Sequence, residues 1–583
     1  MRRDRSAARA YERLKRREEA ARTERAQTWD RRAAGIVVAV TVAAVAILWF
    51  AIPLAPKAYW TPRVAVLLLV VAAAAARQLL GPSPPREGGE ASGRWQTLAS
   101  WPLVAAAAVV PYLHSLSVGL LSDDFGMLWA ARWAGGALNA VATYPVPGFF
   151  RPLTMLAWWG GDRLWSGAGM GYHAVNIIVH AANAVLVYAL ARRVTGRQYA
   201  AVAAGLLFAV HPLHVEPVVW LCCSSDLVCT FFSLLSLLAL EGYLSARSAW
   251  SRWLAVGGAV LSFAAALAAK EAALALPGVA ALRLALTGKE NRWRRLAAPT
   301  AAYAAVLLVY LGWRVHQMGQ FGGYRVLPGF WNTLFPSAVV WHIASFFFPL
   351  NKALFASLRD PVPYFAVLIL MAAGLVWCLL RLTEVPARRL YLWLGFLFLM
   401  TVPVWTLATG TADLEHSRFA YLPTIGLAWL VGDVCAAGAA SRRSKGVLAA
   451  ALVLAAGLTA WYVTPWRWAH RTAEKVTTAG VALLADLEQP DRSVGLYVDG
   501  LPRTYQGAQV LRNCYTQALG LRLGRRAPVR VVGSAGDISQ EALALSALLA
   551  GEHVVAWDAR AGKFRVLRSG AASASALGVE AFP

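Results

Sequence analysis

The apolar run Ser100–Leu121 (SWPLVAAAAVVPYLHSLSVGLL) is followed directly by the acidic stretch Ser122-Asp123-Asp124-Phe125-Gly126. A run of this length can cross a bilayer as one helix. Carboxylates near membrane depth are costly, and they tend to mark substrate or ion sites. The alternative is that Asp123 and Asp124 only end the span and cap the next helix, because Asp is a good N-cap residue. The pair alone leaves both interpretations open.

The composition of the chain indicates a membrane protein. Its 583 residues are 58% hydrophobic and only 15% charged, which is too apolar for a soluble protein of this size. The formal net charge is +25, but Lys and Arg concentrate in short segments between apolar runs, as the positive-inside rule expects. No nucleic-acid recognition motif accompanies the charge, so we expect no nucleic-acid partner. The six cysteines show neither metal-ligand spacing nor a disulfide framework.

Apolar runs predict about 13 transmembrane helices between residues 33 and 465, in a mainly α, polytopic membrane protein. The runs are Ala33–Ala55, Pro62–Leu80, Ser100–Leu121, Tyr172–Ala191, Tyr199–Leu221, Leu227–Leu244, Trp253–Ala269, Ala272–Leu286, Ala297–Gly312, Tyr364–Leu380, Leu390–Ala408, Phe419–Val434 and Val447–Thr464. Residues 1–32 interleave Arg and Lys with Glu and Ala, which predicts a basic cytoplasmic helix without a cleavable signal peptide.

Arg-rich loops predict the orientation of these helices. With a cytoplasmic N-terminus, the basic loops fall inside the cell and the acidic pair faces outward. One segment, Trp331–Leu350, would break this parity if it spanned, so we interpret it as re-entrant or interfacial; Pro336 and Pro349 suit an irregular path. We therefore expect an integral, multi-pass protein of the inner (cytoplasmic) membrane, with its site on the extracytoplasmic side.

The composition changes after Pro465, and residues 466–583 predict a small extracytoplasmic α/β domain. Short strands are expected at Val494–Val498, Val529–Val532, His553–Trp557 and Lys563–Leu567, and helices at Gln506–Leu521 and Gln540–Leu549. No repeat of about 34 residues is present, which argues against a helical-repeat tail.

Polar residues within the apolar runs are the first candidates for function. Along the run Tyr172–Ala191 the spacing places four of them on one face of a helix, namely His173, Asn176, His180 and Asn183. This face serves either interhelical hydrogen bonding or, at His173 and Asn176, a substrate cavity. The next run ends in His211-Pro212-Leu213-His214-Val215-Glu216-Pro217, where the prolines interrupt the helix beside His and Glu.

Charged residues recur at the predicted outer ends of the runs. Lys270 and Glu271 form a junction between two short spans, where the simplest interpretation is an ion pair that joins helix ends. Two further outer loops carry Arg314, His316, Tyr324 and Arg325, and Asp413, Glu415, His416, Arg418 and Tyr421. A transporter would instead place charges near the bilayer midplane and show internal repeats.

Taken in order, these motifs resemble the GT-C fold glycosyltransferases, and among them the protein O-mannosyltransferase and transmembrane-TPR O-mannosyltransferase-like proteins. The resemblance rests on Asp123-Asp124-Phe125, Phe150-Arg151-Pro152-Leu153, Tyr172-His173-Ala174-Val175-Asn176 with His180, His211-Pro212-Leu213-His214-Val215-Glu216, Lys270-Glu271, and Arg418-Phe419-Ala420-Tyr421-Leu422-Pro423. The chain departs from the family pattern at Ser417, where Glu usually precedes the Arg, and in lacking the TPR tail.

The resemblance implies a GT-C-like bundle that transfers a monosaccharide, with mannose as one option, from a polyprenyl-phosphate-linked donor. The acceptor would be a hydroxyl of a protein or of a cell-envelope glycan or lipid, and the transfer would invert the anomeric carbon. Such chemistry needs a carboxylate base, for which Asp123 and Asp124 are the candidates. The leaving phosphate suits planar Arg groups, so the predicted substrate-binding residues are Arg151, His173, Asn176, His211, His214, Glu216, Lys270, Glu271, Arg314, Arg325, Arg418 and Tyr421.

No cofactor is certain from the sequence. Carboxylates together with a substrate phosphate can hold a divalent cation such as Mg²⁺ or Mn²⁺, but basic side chains could neutralise the phosphate alone, and we favour the absence of a metal. Two other classes of function stay open: a flippase or transporter for lipid-linked sugars, and a non-catalytic membrane assembly protein.

Overall fold

The structure is a computed structural model, and it describes residues 94–145, 149–286, 292–319, 345–404, 413–437, 442–487, 495–524, 530–531 and 553–568. Several predicted elements lie outside these residues. They are the spans Ala33–Ala55 and Pro62–Leu80, the first and last residues of the strand Val529–Val532, the helix Gln540–Leu549 and most of the segment Trp331–Leu350.

Within these ranges the chain is mainly helical. Its α-helices are α1 (Arg94–Val109), α2 (Asp123–Arg132), α3 (Ala137–Ala142), α4 (Pro152–Trp165), α5 (Gly169–Thr195), α6 (Gln198–Ala209), α7 (Val215–Val219), α8 (Ser224–Ser245), α9 (Ala249–Ala269), α10 (Leu276–Ala285), α11 (Arg292–Met318), α12 (Lys352–Ala356), α13 (Val362–Arg381), α14 (Ala387–Thr401), α15 (Thr424–Ala437), α16 (Arg442–Tyr462), α17 (Thr464–Leu487) and α18 (Tyr515–Leu523). Short 3-10 helices join several of them, at Val110–Ser117, Pro212–His214, Leu221–Cys223, Glu271–Ala275, Leu382–Glu384, Val402–Val404 and Ser417–Ala420.

Seven helices of the described part are long and apolar enough to cross a membrane, or up to eight if a bent pair counts as one span. They support a polytopic membrane protein. Three predicted runs take a different form: Ser100–Leu121 is a 16-residue helix continued by a 3-10 helix, Ala272–Leu286 contains the 10-residue α10, and Phe419–Val434 contains the 14-residue α15. The total of about 13 helices stays a prediction.

The bent pair confirms the interruption predicted at the His-Pro motif. Helix α6 ends at Ala209, and the direction of the chain changes by 47° before it continues through Pro212–Val219. Pro212 has no backbone N–H, so the helical hydrogen-bond ladder cannot continue through it. The Nδ1 atom of His211 accepts a bond of 3.3 Å from the Leu213 N–H and caps the 3-10 helix. The break carries the short helix α7, and with it Glu216, to the end of the bundle where the acidic pair lies.

Close helix packing orders the interior of the bundle. At Gly432 of α15 a Cβ atom would clash with the Ala200 carbonyl of α6, and at Gly426 it would clash with the backbone of α14. Small residues at such crossings let helix backbones approach, which is the usual way for membrane helices to associate. Trp393 and Trp429 fill the adjacent space with ring centroids 4.9 Å apart.

The C-terminal part contains the predicted α/β elements. Strands β1 (Gly495–Asp499), β4 (Arg530–Val531), β5 (His553–Asp558) and β6 (Lys563–Arg568) form one sheet in the order β4-β1-β5-β6. The β1 strand runs parallel to β4 and β5, and β6 is antiparallel to β5. A hairpin of β2 (Thr504–Tyr505) and β3 (Ala508–Gln509) precedes α18.

This hairpin makes the helix predicted at Gln506–Leu521 wrong in its first half. Gln506, Gly507 and Cys514 all have positive φ angles, and residues in that conformation cannot continue a right-handed helix. The helix begins only at Tyr515.

Candidate active site

The acidic pair opens α2, and its two carboxylates have different surroundings. Asp124 is fully buried, and its oxygens accept backbone N–H bonds from Leu121 at 2.9 Å and from Cys222 at 2.6 Å. Asp123 is half-buried, and its Oδ1 atom accepts a bond of 2.8 Å from the side-chain amide of Asn513. Of the two carboxylates, Asp123 is the one that a substrate can contact.

The burial of Asp124 also changes its acidity. Burial raises the pKa of its carboxyl well above the usual range, and the charge of Asp123 adds to this, while the two backbone donors from Leu121 and Cys222 act in the opposite direction. The bond from Cys222 connects the start of α2 to the 3-10 helix Leu221–Cys223. The geometry therefore makes Asp124 part of the framework that holds Asp123 in place.

The predicted cations that the structure describes lie against carboxylates. Lys270 and Glu271 do not pair with each other, so the predicted Lys270–Glu271 ion pair is wrong. The pairs found are Arg151–Glu271, Lys270–Asp226 and Arg418–Glu216. Each of them joins segments that lie far apart in the sequence.

The Arg151–Glu271 pair is bidentate. Arg151 Nη2 and Nε donate to the two Glu271 oxygens at 2.5 and 3.0 Å, and Arg151 Nη1 donates to the Tyr144 hydroxyl at 3.1 Å. Arg314 Nη1 lies 4.0 Å from the same carboxylate and donates to the Tyr310 hydroxyl at 3.0 Å. Burial alone would raise the pKa of Glu271, but Arg151 and then Lys270 outweigh it and lower the pKa to about 2. Glu271 is therefore an anion that orients Arg151.

Arg418 is held by Glu216 and by two aromatic rings. Its Nη1 atom donates to Glu216 Oε1 at 2.5 Å, and its backbone N–H donates to Oε2 at 2.8 Å. The guanidinium carbon lies 4.6 Å from the Phe419 ring centroid and 5.2 Å from that of Trp220. Trp220 in turn donates its indole N–H to the Leu121 carbonyl at 3.3 Å. Arg418 is thereby linked to the loop that carries the acidic pair.

The buried Lys270 takes part in the same cluster. Its Nζ atom lies 2.6 Å from both oxygens of Asp226 and 5.5 Å from the Phe419 ring centroid. The Phe419 ring is therefore close to both Arg418 and Lys270, and it connects the two ion pairs. Asp124 Oδ1 accepts the Cys222 N–H, and Trp220, two residues earlier, lies against Arg418, so the acidic pair and these cations lie at one end of the bundle.

The predicted polar face of α5 belongs to the interior of the bundle. Asn176 Nδ2 donates to the Val218 carbonyl at 3.2 Å, and His180 Nδ1 lies 2.8 Å from the Tyr421 hydroxyl. Asn183 Nδ2 donates to the same hydroxyl at 3.2 Å. These contacts favour the interhelical hydrogen-bonding interpretation for Asn176, His180 and Asn183.

Two of the remaining predicted histidines also contact oxygen atoms of the protein. His211 Nε2 lies 3.2 Å from the Phe346 carbonyl, and His214 Nε2 lies 2.8 Å from the Thr424 hydroxyl. His173 is fully buried. The predicted site residues thus divide into a charged cluster and an interior network, and Arg325 and Tyr324 lie outside the described residues.

Sequence reasoning missed two residues of the cluster. Asp226 begins an apolar helix, and a lone carboxylate in such a position is itself a signal of function. Asn513 carries no such signal, because its bond to Asp123 connects residues 390 positions apart.

No group of three or more His, Cys, Asp or Glu side chains with the geometry of a metal site occurs in the described part of the chain. The choice between a divalent cation and cations of the protein alone stays a prediction.

Comparison with known proteins identifies several relatives of this chain. Residues 151–315 match the family model described as "Dolichyl-phosphate-mannose-protein mannosyltransferase". The chain is 31% identical over 190 residues to protein O-mannosyl-transferase Tmtc2 of Drosophila melanogaster, which covers 30% of this chain and 20% of the relative. It is 31% identical over 201 residues to Tmtc1 of the same organism, which covers 32% of this chain and 23% of that protein. The chain thus spans about a fifth of the length of these relatives, and the predicted resemblance to protein O-mannosyltransferases is confirmed.

Among solved structures, ArnT from Cupriavidus metallidurans bound to undecaprenyl phosphate matches with a TM-score of 0.48 and 14% sequence identity. The match covers 78% of this chain and 92% of ArnT. The segment matched by the family model contains Arg151, Glu216, Lys270, Glu271 and Arg314, while Asp123 and Arg418 lie outside it.

Proposed function

We propose that this protein is a membrane glycosyltransferase that moves a monosaccharide from a polyprenyl-phosphate-linked donor to an acceptor hydroxyl with inversion. One observation carries the proposal. The half-buried carboxylate of Asp123 and the Arg418 guanidinium lie at one end of the bundle, linked through Leu121 and Trp220. A base and a cation for a leaving phosphate are the two groups that this reaction requires. The match of residues 151–315 to the mannosyltransferase model supports the same reaction class.

Asp123 is the proposed base. As the acceptor oxygen forms its bond to the anomeric carbon, its proton passes to the Asp123 carboxylate. The bond between that carbon and the phosphate oxygen breaks on the opposite face, and the lipid phosphate leaves with the electron pair. Attack from one face and departure from the other inverts the anomeric carbon. Asp124, whose two oxygens are engaged by backbone donors, positions Asp123 and takes no part in proton transfer.

Arg418 is the proposed phosphate ligand. Its side chain is 15% exposed, against 9% for Arg151, 5% for Lys270 and 2% for Arg314. Its aromatic neighbours hold the guanidinium plane, and a planar group suits phosphate oxygens. Lys270 is a weaker candidate, because both oxygens of Asp226 already surround its ammonium group. Arg151 and Lys270 would act mainly through the positive potential that they add to the site.

The donor sugar, acceptor and orientation belong to this proposal as well. Mannose is the sugar that the family description suggests, and the acceptor is a hydroxyl of a protein or of a cell-envelope glycan or lipid. We place the cluster and residues 466–583 on the extracytoplasmic side of the cytoplasmic membrane, and residues 1–32 in the cytoplasm. The transmembrane catalytic region then comprises residues 33–465. The Arg-rich loops described above support this orientation.

The test is a transfer assay with purified protein in nanodiscs, using radiolabelled mannosyl-phosphoryl-polyprenol and a membrane or peptide acceptor. Asp123→Asn should abolish most transfer while donor binding is retained. The matched control is Glu384→Gln, which removes a carboxylate from an exposed ion pair with Arg381 and should leave transfer unchanged. Full transfer by Asp123→Asn would refute the base. Movement of the lipid-linked sugar across the bilayer without transfer would instead indicate a flippase or transporter, and tolerance of every change in the cluster would indicate an assembly protein.

A further inference from the structure

A loop of the C-terminal part, residues 506–513, lies directly against the loop that carries the acidic pair. The Ser122 N–H donates to the Val510 carbonyl at 2.9 Å, and the Asn513 N–H donates to the Ser122 hydroxyl at 3.2 Å. The Asn513 side-chain amide donates to Asp123 Oδ1 at 2.8 Å. Three hydrogen bonds therefore connect two segments that lie about 390 positions apart in the sequence.

The same loop is also bound to the segment that precedes Arg418. Arg512 forms an ion pair with Glu415, and Gln509 Nε2 donates to the same carboxylate at 3.2 Å. Asn351 Nδ2 bridges the carbonyls of Gln506 and Asp413 at 2.9 and 3.0 Å. The loop thus holds the acidic pair on one side and the Arg418 segment on the other.

Backbone strain concentrates where these three segments meet. Seven non-glycine residues of the described part have positive φ angles, and five of them lie here: Ser122, Leu414, His416, Gln506 and Cys514. Such conformations cost free energy, and they persist only where the surrounding structure fixes them, which is common at functional sites. The contacts are therefore a built arrangement rather than a passive packing of two surfaces.

We propose that Asn513 is a positioning residue for Asp123: its amide binds Oδ1 and thereby directs Oδ2 towards the acceptor hydroxyl. This inference rests on the proposed function, and it gives residues 506–513 a role in the reaction. Asn513 is itself exposed, so it borders the space that an acceptor would enter. A neutral donor suits this position, because it orients the carboxylate without adding a charge.

The titratable groups near Asp123 come from three elements. Asp124 follows it in α2, Cys222 lies in the 3-10 helix Leu221–Cys223, and Cys514 precedes α18. Burial raises the pKa of both thiols, so they are uncharged at neutral pH, and Asn513 adds a neutral amide. Replacing it with Asp puts a second carboxylate in direct contact with Asp123, and two such groups cannot easily be ionised together.

The experiment compares two variants of Asn513 with a charge-matched control. Asn513→Ala should lower kcat about tenfold, as expected for a base that loses its orientation, and should leave KM for the donor lipid unchanged. Asn513→Asp should move the acidic limb of the pH–activity profile upward by about one pH unit or more. The control Arg512→Gln changes the net charge by the same amount at the adjacent residue, whose side chain binds Glu415, and the acidic limb should stay in place.

Wild-type kcat in Asn513→Ala together with an unmoved acidic limb in Asn513→Asp would overturn the positioning role. An equal shift of the limb in Arg512→Gln would overturn it too, because the effect would then come from net charge alone. Asn513→Asp is nearly isosteric with the wild-type side chain, so it serves where the alanine variant folds poorly. Absence of transfer by the wild-type protein would instead refute the proposed function, which separates the two failures.

Discussion

Asp123 and Asp124 are adjacent in sequence, yet the structure predicts that their amide variants fail in different ways. Asp124→Asn replaces one of two buried acceptor oxygens with an amide N–H₂ group, which then faces the backbone N–H of Leu121 or Cys222. A buried donor left without an acceptor costs about 1–3 kcal/mol. Asp123→Asn affects a half-buried group with one side-chain partner, Asn513, so its cost in unfolding free energy should be below about 1 kcal/mol.

The catalytic rate should respond in the opposite order, with the larger loss in Asp123→Asn and the smaller loss in Asp124→Asn. Removal of a proton acceptor costs roughly 10²- to 10⁴-fold in rate, and we expect this loss for Asp123→Asn at full occupancy of the donor lipid. Asp124→Asn should retain measurable transfer at temperatures where it is folded, because it changes only the support of the base. An additional Asp124→Glu variant tests the geometry, since its longer side chain keeps the charge but cannot place both oxygens at the same two N–H groups.

The assay measures thermal unfolding in detergent and transfer in nanodiscs on the same preparations. The expected result is a lower unfolding midpoint with residual transfer for Asp124→Asn, and an unchanged midpoint with severely reduced transfer for Asp123→Asn. A stable but inactive Asp124→Asn beside a fully active Asp123→Asn would refute the division of roles.

Arg418→Lys should weaken donor-lipid binding by roughly 1.5–3 kcal/mol, because Lys loses the planar donor group. The control variant Arg381→Lys should bind the donor lipid as the wild type does. If Arg418→Lys and Arg381→Lys bind the lipid equally well, Arg418 is not the phosphate ligand. The pKa of Glu271 is lowered from 4.5 to about 2, so its pair with Arg151 contributes full stability above pH 4.5 and loses it as the pH falls towards 2. Glu271→Gln should flatten this part of the curve of unfolding free energy against pH, and an unaltered curve would contradict the assignment. Leu138 and Lys445 are both exposed, and each can be replaced by cysteine. In intact cells an impermeant thiol reagent should react with the cysteine at position 138 and not with the one at position 445. Equal reaction at the two positions would refute the orientation.

The sequence predicted most of the helical regions and the charged residue types of the site. Period and length are local properties, so spans such as α5, α8 and α9 follow from the apolar runs alone. The prolines of His211–Pro217 likewise marked the break between α6 and α7, since loss of a backbone N–H has a local effect. The error at Gln506–Leu521 has a tertiary origin. At Gly507 a Cβ would collide with the Asp413 carbonyl, and this close contact selects a turn where the residue pattern predicts a helix.

The sequence did not predict which carboxylate pairs with which cation, and this pairing affects whether a cation is available to bind a phosphate. Lys270 and Glu271 are neighbours in the chain, but successive residues at a helix end point in different directions, so each finds a partner from another segment. Glu271 therefore forms an ion pair with Arg151, and Asp226 forms one with Lys270. A buried cation with its own carboxylate needs no substrate to compensate its charge, and this holds for Arg418 with Glu216 as well. Pairing alone therefore does not single out a phosphate ligand. Arg418 is more exposed than Arg151, Lys270 and Arg314, so under the proposed function it is the cation whose interactions can change when a lipid phosphate arrives.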